Sequence, residues 1–242
     1  MTALLTLTDV SMHFNREADS RYAVFGGINL TVDAGECVAL IGRNGSGKST
    51  LLRVMAKIFA PTSGSVSWAP GVAVSLLTLG LGFRPDLSGR DNAYLSCLLM
   101  GLSRDEAAQS LSQIETFCDI GTFFDEPVRS YSAGMRARLG FGTAMMNRSQ
   151  VILIDETLSV GDTFFRERAR IALEQEFHAH RAFVLVSHAE QQVERLCNRA
   201  ILLEQGKITA EGHPNAVLAA YADLTANSAD DSLVSRQSAV DL

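Results

Sequence analysis

Gly42-Arg43-Asn44-Gly45-Ser46-Gly47-Lys48-Ser49 fits the pattern G-x-x-x-x-G-K-[ST], the Walker A arrangement for holding phosphate. Its glycines let backbone N–H groups converge on an anion, and a helix starting here would aim its dipole at the same point. Lys48 is placed to reach the β- and γ-phosphates of a nucleotide and Ser49 to ligate Mg²⁺, with Thr50 beside them. The competing explanation is a chance glycine-rich turn, which would match in roughly 1% of chains of this length. Val151-Ile152-Leu153-Ile154-Asp155-Glu156 is an apolar run ending in two carboxylates. Asp155 could hold Mg²⁺ through its water shell, and Glu156 could act as general base for an attacking water. Alone, such a run reads as a buried strand with an acidic end; beside a phosphate loop it reads as a Walker B strand. His188 closes another apolar run, at the sheet edge where ligands of parallel sheets bind. A lone histidine is more often structural, but this position favours a γ-phosphate contact.

These residues need strands and helices in a set order. Alternation in Leu4–Val10 and Ile28–Val32 predicts an antiparallel pair. Cys37–Ile41 is a short continuous apolar run ending in glycine, as in a buried parallel strand, and Ser49–Phe59 follows at helical spacing. Ser65–Trp68 and Val72–Leu77 are plausible strands, and the pattern turns helical from Gly89 to Asn147, clearest in Arg104–Phe117. Strands at Val151–Ile154 and Ala182–Ser187 alternate with helices at Thr163–Ala179 and Ala189–Cys197, before a hairpin of Ala200–Glu204 and Lys207–Ala210. The fold class is therefore α/β with an inserted helical subdomain at about residues 89–147. Residues 225–242, rich in Ser, Ala and Asp, predict a mobile tail, leaving residues 1–224 as the domain.

The 242 residues carry 47% hydrophobic and 20% charged side chains and a net charge of −6. That balance argues against nucleic acid as a partner, which would require a basic face. Cys37, Cys97, Cys118 and Cys197 form no C-x-x-C pair, so reduced thiols are expected in place of zinc or redox chemistry. The start lacks a basic region before a long apolar stretch, so no secretion signal is expected. Residues 58–83 are uncharged, but they contain Pro61, Pro70, Gly64, Gly71, Gly80 and Gly82, which predicts strands and turns over a membrane span.

Tyr131-Ser132-Ala133-Gly134-Met135 resembles the signature motif of ABC-type ATPases, Ser159-Val160-Gly161-Asp162 resembles their D-loop, and His188 their switch histidine. With both Walker motifs this makes five motifs in the family's order. The resemblance implies a P-loop NTPase (RecA-like) core with an N-terminal antiparallel β subdomain, binding ATP with Mg²⁺. It also implies a homodimer in which Ser132 and Gly134 of one copy contact the γ-phosphate held by Lys48 of the other. For adenine, the family stacks the base on an aromatic near the N-terminus; Phe14 and Tyr22 both qualify, and both also suit ordinary packing.

Two departures narrow the resemblance. The signature reads YSAGM where LSGGQ is commonest, and no Gln occurs between Ser49 and Gln109, so Thr78 or Leu79 stands at the Q-loop glutamine's place. These features, with LGLGF, SGRDN and the VGD D-loop, resemble ATPase subunits of exporters for capsule, O-antigen or teichoic acid. RYAVFGGIN and IGRNGSGKSTLLR resemble the capsule branch, and LGLGFRPDLSGRDNAYLSCLLMGLS the O-antigen and teichoic acid branch. The implied partners are two copies of a transmembrane permease and a lipid-linked polysaccharide, at the cytoplasmic face of a bacterial plasma membrane. Phe83, beside Arg84, is the candidate permease contact. Rival readings are an importer subunit, a soluble ABC ATPase acting on nucleic acid or ribosomes, and a P-loop kinase. The first should show LSGGQ and the Q-loop glutamine, the second long insertions or basic surfaces, and the third leaves YSAGM unexplained.

Overall fold

The computed structural model describes residues 2–15, 21–77, 82–146, 148–155, 162–177, 181–187 and 189–237. Strand β1 (Ala3–Asn15) pairs antiparallel with β2 (Arg21–Asp33) on one side and with β4 (Ser63–Trp68) on the other. Both long strands outrun the sequence expectation because their irregular register, with bulges, keeps them paired where strict alternation lapses. The second sheet has the order β5-β6-β7-β3-β8-β9. Its strands are β3 (Cys37–Ile41), β5 (Val74–Leu77), β6 (Val151–Asp155), β7 (Ala182–Val186), β8 (Arg199–Glu204) and β9 (Lys207–Gly212). The first five in that order run parallel, and β9 returns antiparallel beside β8. Every residue of β3 and β7 is buried, as unbroken apolar runs in the middle of a parallel sheet require.

Both faces of this sheet are covered. Helix α1 (Lys48–Met55) and the small sheet bury one face, around Leu51, Leu52, Met55, Leu153 and Val184. Helices α5 (Thr163–Phe177), α6 (Glu190–Leu196) and α7 (Pro214–Gln237) close the other, around Phe165, Leu173, Phe183 and Val217. The helical subdomain has its own core of Ala93, Cys97, Ile114, Cys118, Phe124 and Leu139, built from α2 (Gly89–Leu99), α3 (Arg104–Cys118) and α4 (Ala133–Ala144). Ser103 opens α3 with a capping box: its hydroxyl accepts from Glu106 N at 3.3 Å, and Ser103 N donates to Glu106 Oε2 at 2.9 Å. Helix α4 belongs to two cores, with Leu139 in the helical cluster and Phe141 and Ala144 against the sheet.

At the C-terminus the backbone is helical to Gln237, where composition predicts a mobile tail from residue 225. The helix is seeded by packing nearer its start, where Val217, Leu218, Tyr221 and Leu224 join the sheet core, and the backbone continues in the same helix beyond them. Among the described residues, no helix is long and apolar enough to cross a membrane.

Candidate functional site

The phosphate loop leaves the buried strand β3 and enters α1, as its spacing demands. Gly42 has φ +151° and lies so close to β8 that an added Cβ would stand 2.1 Å from Leu203 O. Gly47, at φ +102°, caps α1 in a left-handed conformation, and a Cβ there would meet Val24 Cγ1 at 3.0 Å. Both positions admit glycine for reasons of space and conformation together. The Lys48 ammonium is buried and donates to Gly42 O at 2.6 Å and Arg43 O at 2.8 Å. Ser46 is also buried, and its hydroxyl has no hydrogen-bond partner among the described residues. A buried, unpaired hydroxyl beside a curled backbone is the state of an anion cradle, so the loop fits a phosphate group.

The Walker B strand meets this loop directly. Ser49 Oγ donates to Asp155 Oδ1 at 3.1 Å across 106 positions of sequence. The contact is possible because β6 and β3 are separated by β7 alone, so both strand ends open on one edge. A hydroxyl and a carboxylate side by side form a hard oxygen donor set, which suits Mg²⁺ better than softer metals. The two residues open onto a cleft of about 280 Å³ lined also by Asn44, Gly45, Gly47, Lys48 and Thr50. Phe14 and Tyr22 line it too, directly paired across β1 and β2. Phe14 is 38% exposed and meets Phe59 edge-on at 5.8 Å; Tyr22 is 44% exposed. Neither is a core residue, and both leave ring surface open to the cleft.

Val24 and Val186 line the same cleft although no sequence feature singles them out; each is an ordinary apolar strand residue locally. Arg43 is exposed and reaches the site only through its carbonyl. Glu156 and His188 lie outside the described residues, as do Thr78, Leu79 and Ser159–Gly161. The flank of His188 is nonetheless braced: Ser187 Oγ donates to Gln192 Oε1 at 2.8 Å and accepts from Ala189 N at 3.1 Å.

Ser132, Gly134 and Asp162 are not among the residues lining the Lys48 cleft. Ser132 caps α4, its hydroxyl accepting from Met135 N at 3.1 Å, and it is exposed. A Cβ on Gly134 would meet only Ser132 Oγ, at 3.8 Å, so the space beside this helix start is open. Tyr131 anchors it from behind: it is buried, and its hydroxyl donates to Phe123 O at 2.5 Å. Asp162 starts α5 by accepting from Phe165 N at 2.9 Å and pairs with Arg138. The Phe165 amide first, and the Arg138 guanidinium second, hold its carboxyl below the usual carboxylate range. Phe83 is half-buried against the helical core, so packing competes with its expected role as a permease contact.

Residues 25–159 match the family described as ABC transporter. The chain is 42% identical over 83% of its length to an O-antigen export system ATP-binding protein, RfbB, of Klebsiella pneumoniae, covering 81% of that protein. It is 41% identical to RfbB of Myxococcus xanthus but spans 44% of that longer protein, and 34% identical to the teichoic acids export protein TagH of Shouchella clausii, spanning 57% of it. Among solved structures, a dimeric ATP-binding cassette in a post-hydrolysis state with ADP and Pi superposes with TM-score 0.75 at 19% identity, over 87% of this chain and 99% of that one. An ATP-binding subunit of an ABC transporter gives 0.76 at 22%, over 87% and 90%. These two likenesses carry the fold.

Proposed function

Because the chain belongs to the ABC transporter family, we propose that it is the ATP-hydrolysing subunit of an exporter that moves a lipid-linked cell-surface polysaccharide across the cytoplasmic membrane. The identity of 42% to an O-antigen export ATP-binding protein over most of both chains is the observation that carries this reading. The relatives' names support the O-antigen and teichoic acid branches. The site supports the chemistry: a glycine-lined cradle with Lys48 and Ser46, an adjoining Ser49–Asp155 pair, and an aromatic wall of Phe14 and Tyr22.

In this reading the loop amides and Lys48 bind the β- and γ-phosphates, and Phe14 or Tyr22 stacks on adenine. Ser49 and Asp155 would hold Mg²⁺, whose charge would offset that of the phosphates. Glu156 takes the proton of the attacking water, and His188 contacts the γ-phosphate. Two copies assemble head to tail, so the Ser132 hydroxyl and Gly134 N–H of one meet the γ-phosphate held by the other. A pair of membrane-spanning permease subunits receives the resulting motion and places the ATPase at the cytoplasmic membrane face.

The Glu156→Gln variant tests the catalytic reading. It should retain ATP binding, lose about 10²–10⁴-fold in turnover, and accumulate as a nucleotide-bound dimer on gel filtration. Near-normal hydrolysis would remove Glu156 from its assigned role.

A further inference from the structure

The seam between the helical subdomain and the sheet core is bridged by Arg138, which lies on α4, the helix that Ser132 begins. Its Nη2 pairs with Asp162 Oδ2 at the start of α5. Its Nη1 donates to Asp119 O, just past α3, at 3.2 Å, and its guanidinium stands 5.3 Å over the Phe165 ring. One side chain thus ties together the end of α3, the body of α4 and the beginning of α5. It is only 20% exposed although its partner Asp162 is 54% exposed, so the guanidinium sits in the joint and not on the surface. Among the described residues this is the ion pair that joins α4 to the start of α5. The adjoining apolar contacts change owner here, with Leu139 packed in the helical core and Phe141 against the sheet.

That location has a lever effect. Six residues of helix separate Arg138 from Ser132, about 9 Å at ~1.5 Å rise per residue. A tilt of roughly 10° about the seam would move the helix start by about 1.5 Å, enough to break a hydrogen bond and to cost about 10²-fold in a positioned reaction. Asp162 itself has both carboxylate oxygens engaged inside its own subunit, one by the Phe165 amide and one by Arg138.

We propose that Arg138, held by Asp162, is a positioning residue that sets the angle of α4 and so places Ser132 and Gly134 for the nucleotide of a second copy. It rests on the trans arrangement of the proposed function. Asp162 in this account serves as a cap and an anchor and does not contact the nucleotide.

The test compares Arg138→Gln, Asp162→Asn, the double variant and Arg138→Lys in the full chain, measuring ATP affinity at concentrations too low for dimerisation, then kcat, KM and Tm. Both single variants should keep ATP affinity within about twofold and lose roughly 10–10² in kcat, with KM little changed. The double variant should lose no more than the worse single one, because both remove the same pair. Arg138→Lys, which retains the charge, should recover part of the lost turnover. Losses that multiply in the double variant, wild-type kcat in the single variants, or ATP affinity that falls in step with kcat and Tm would each overturn the proposal. Turnover in the wild type with unaffected variants refutes the positioning role alone; a wild type without ATPase activity refutes the ATPase reading and this role together.

Discussion

Gly42 leaves no volume for a side chain, since its Cβ position is occupied by a backbone carbonyl that cannot swing aside. Gly42→Ala is therefore expected to cost at least about 2 kcal/mol and to abolish nucleotide binding. Gly71→Ala, at φ +77° with nothing within 4 Å, should cost only about 1 kcal/mol of conformational strain. Urea unfolding of the two variants separates steric from torsional cost. Cys118 carries a second residue-scale expectation. Burial pushes its thiol up to about 12, against the weaker opposing fields of Arg168 and Arg138. A pKa raised in the folded state means that stability is intact below the unfolded thiol's pKa and declines as pH rises above it. Between about pH 9 and 12 the loss should approach ~1.4 kcal/mol per pH unit. Unfolding midpoints from pH 8 to 10.5 should fall less steeply in Cys118→Ala; identical slopes would show that this thiol ionises as easily when folded.

The clearest case at the level of elements is the loop leading into α2, and it turns on Asn92, which is 2% exposed. Its Oδ1 accepts from Arg84 N at 2.7 Å, and its Nδ2 lies at 3.0 Å from Arg84 O, 3.2 Å from Leu87 O and 2.8 Å from Ser88 O. One amide side chain so supplements the backbone bonds of residues 84–88, where Leu87 N donates to Arg84 O, Val128 N to Leu87 O and Asn92 N to Ser88 O. Asn92→Ala should cost about 1–2 kcal/mol, because the Arg84 N–H loses its acceptor and the three carbonyls each lose their second donor. Hydrogen exchange should quicken across residues 82–92 more than in α3; uniform exchange would place the effect elsewhere. In the sequence, SGRDN carries a family resemblance and no physical signal for this role. The physical role of its asparagine depends on a loop whose course no local pattern encodes.

For the whole molecule, Ser132 at the start of α4 is exposed and does not line the Lys48 cleft, so in the proposed head-to-tail dimer the two would be halves of one site. Lys48→Ala and Gly134→Asp should each abolish ATPase activity alone. A mixed dimer of the two would carry one site with both lesions and one with neither, so mixing should recover part of the turnover. Recovery to at most half of the wild type is expected if each site fires independently. An active Gly134→Asp homodimer would contradict the trans arrangement.

The phosphate loop, the buried strand before it and the amphipathic run of α3 were legible in the sequence because each depends on neighbours within a few residues. Continuous apolar runs likewise predicted β3, β6 and β7 to within a residue of their ends. Tertiary structure alone decided which of these elements meet. β4 leaves its sequence neighbour β5 and joins β1 in the small sheet, and β7 inserts between β3 and β6. That insertion brings Ser49 to Asp155, and the β1–β2 register brings Tyr22 opposite Phe14, where sequence spacing left the two aromatics as alternatives. Hydrophobic period and turn chemistry are local and say which face of a strand is buried. Strand order and helix docking depend on how whole faces cover one another, and that competition is settled only when the entire core packs.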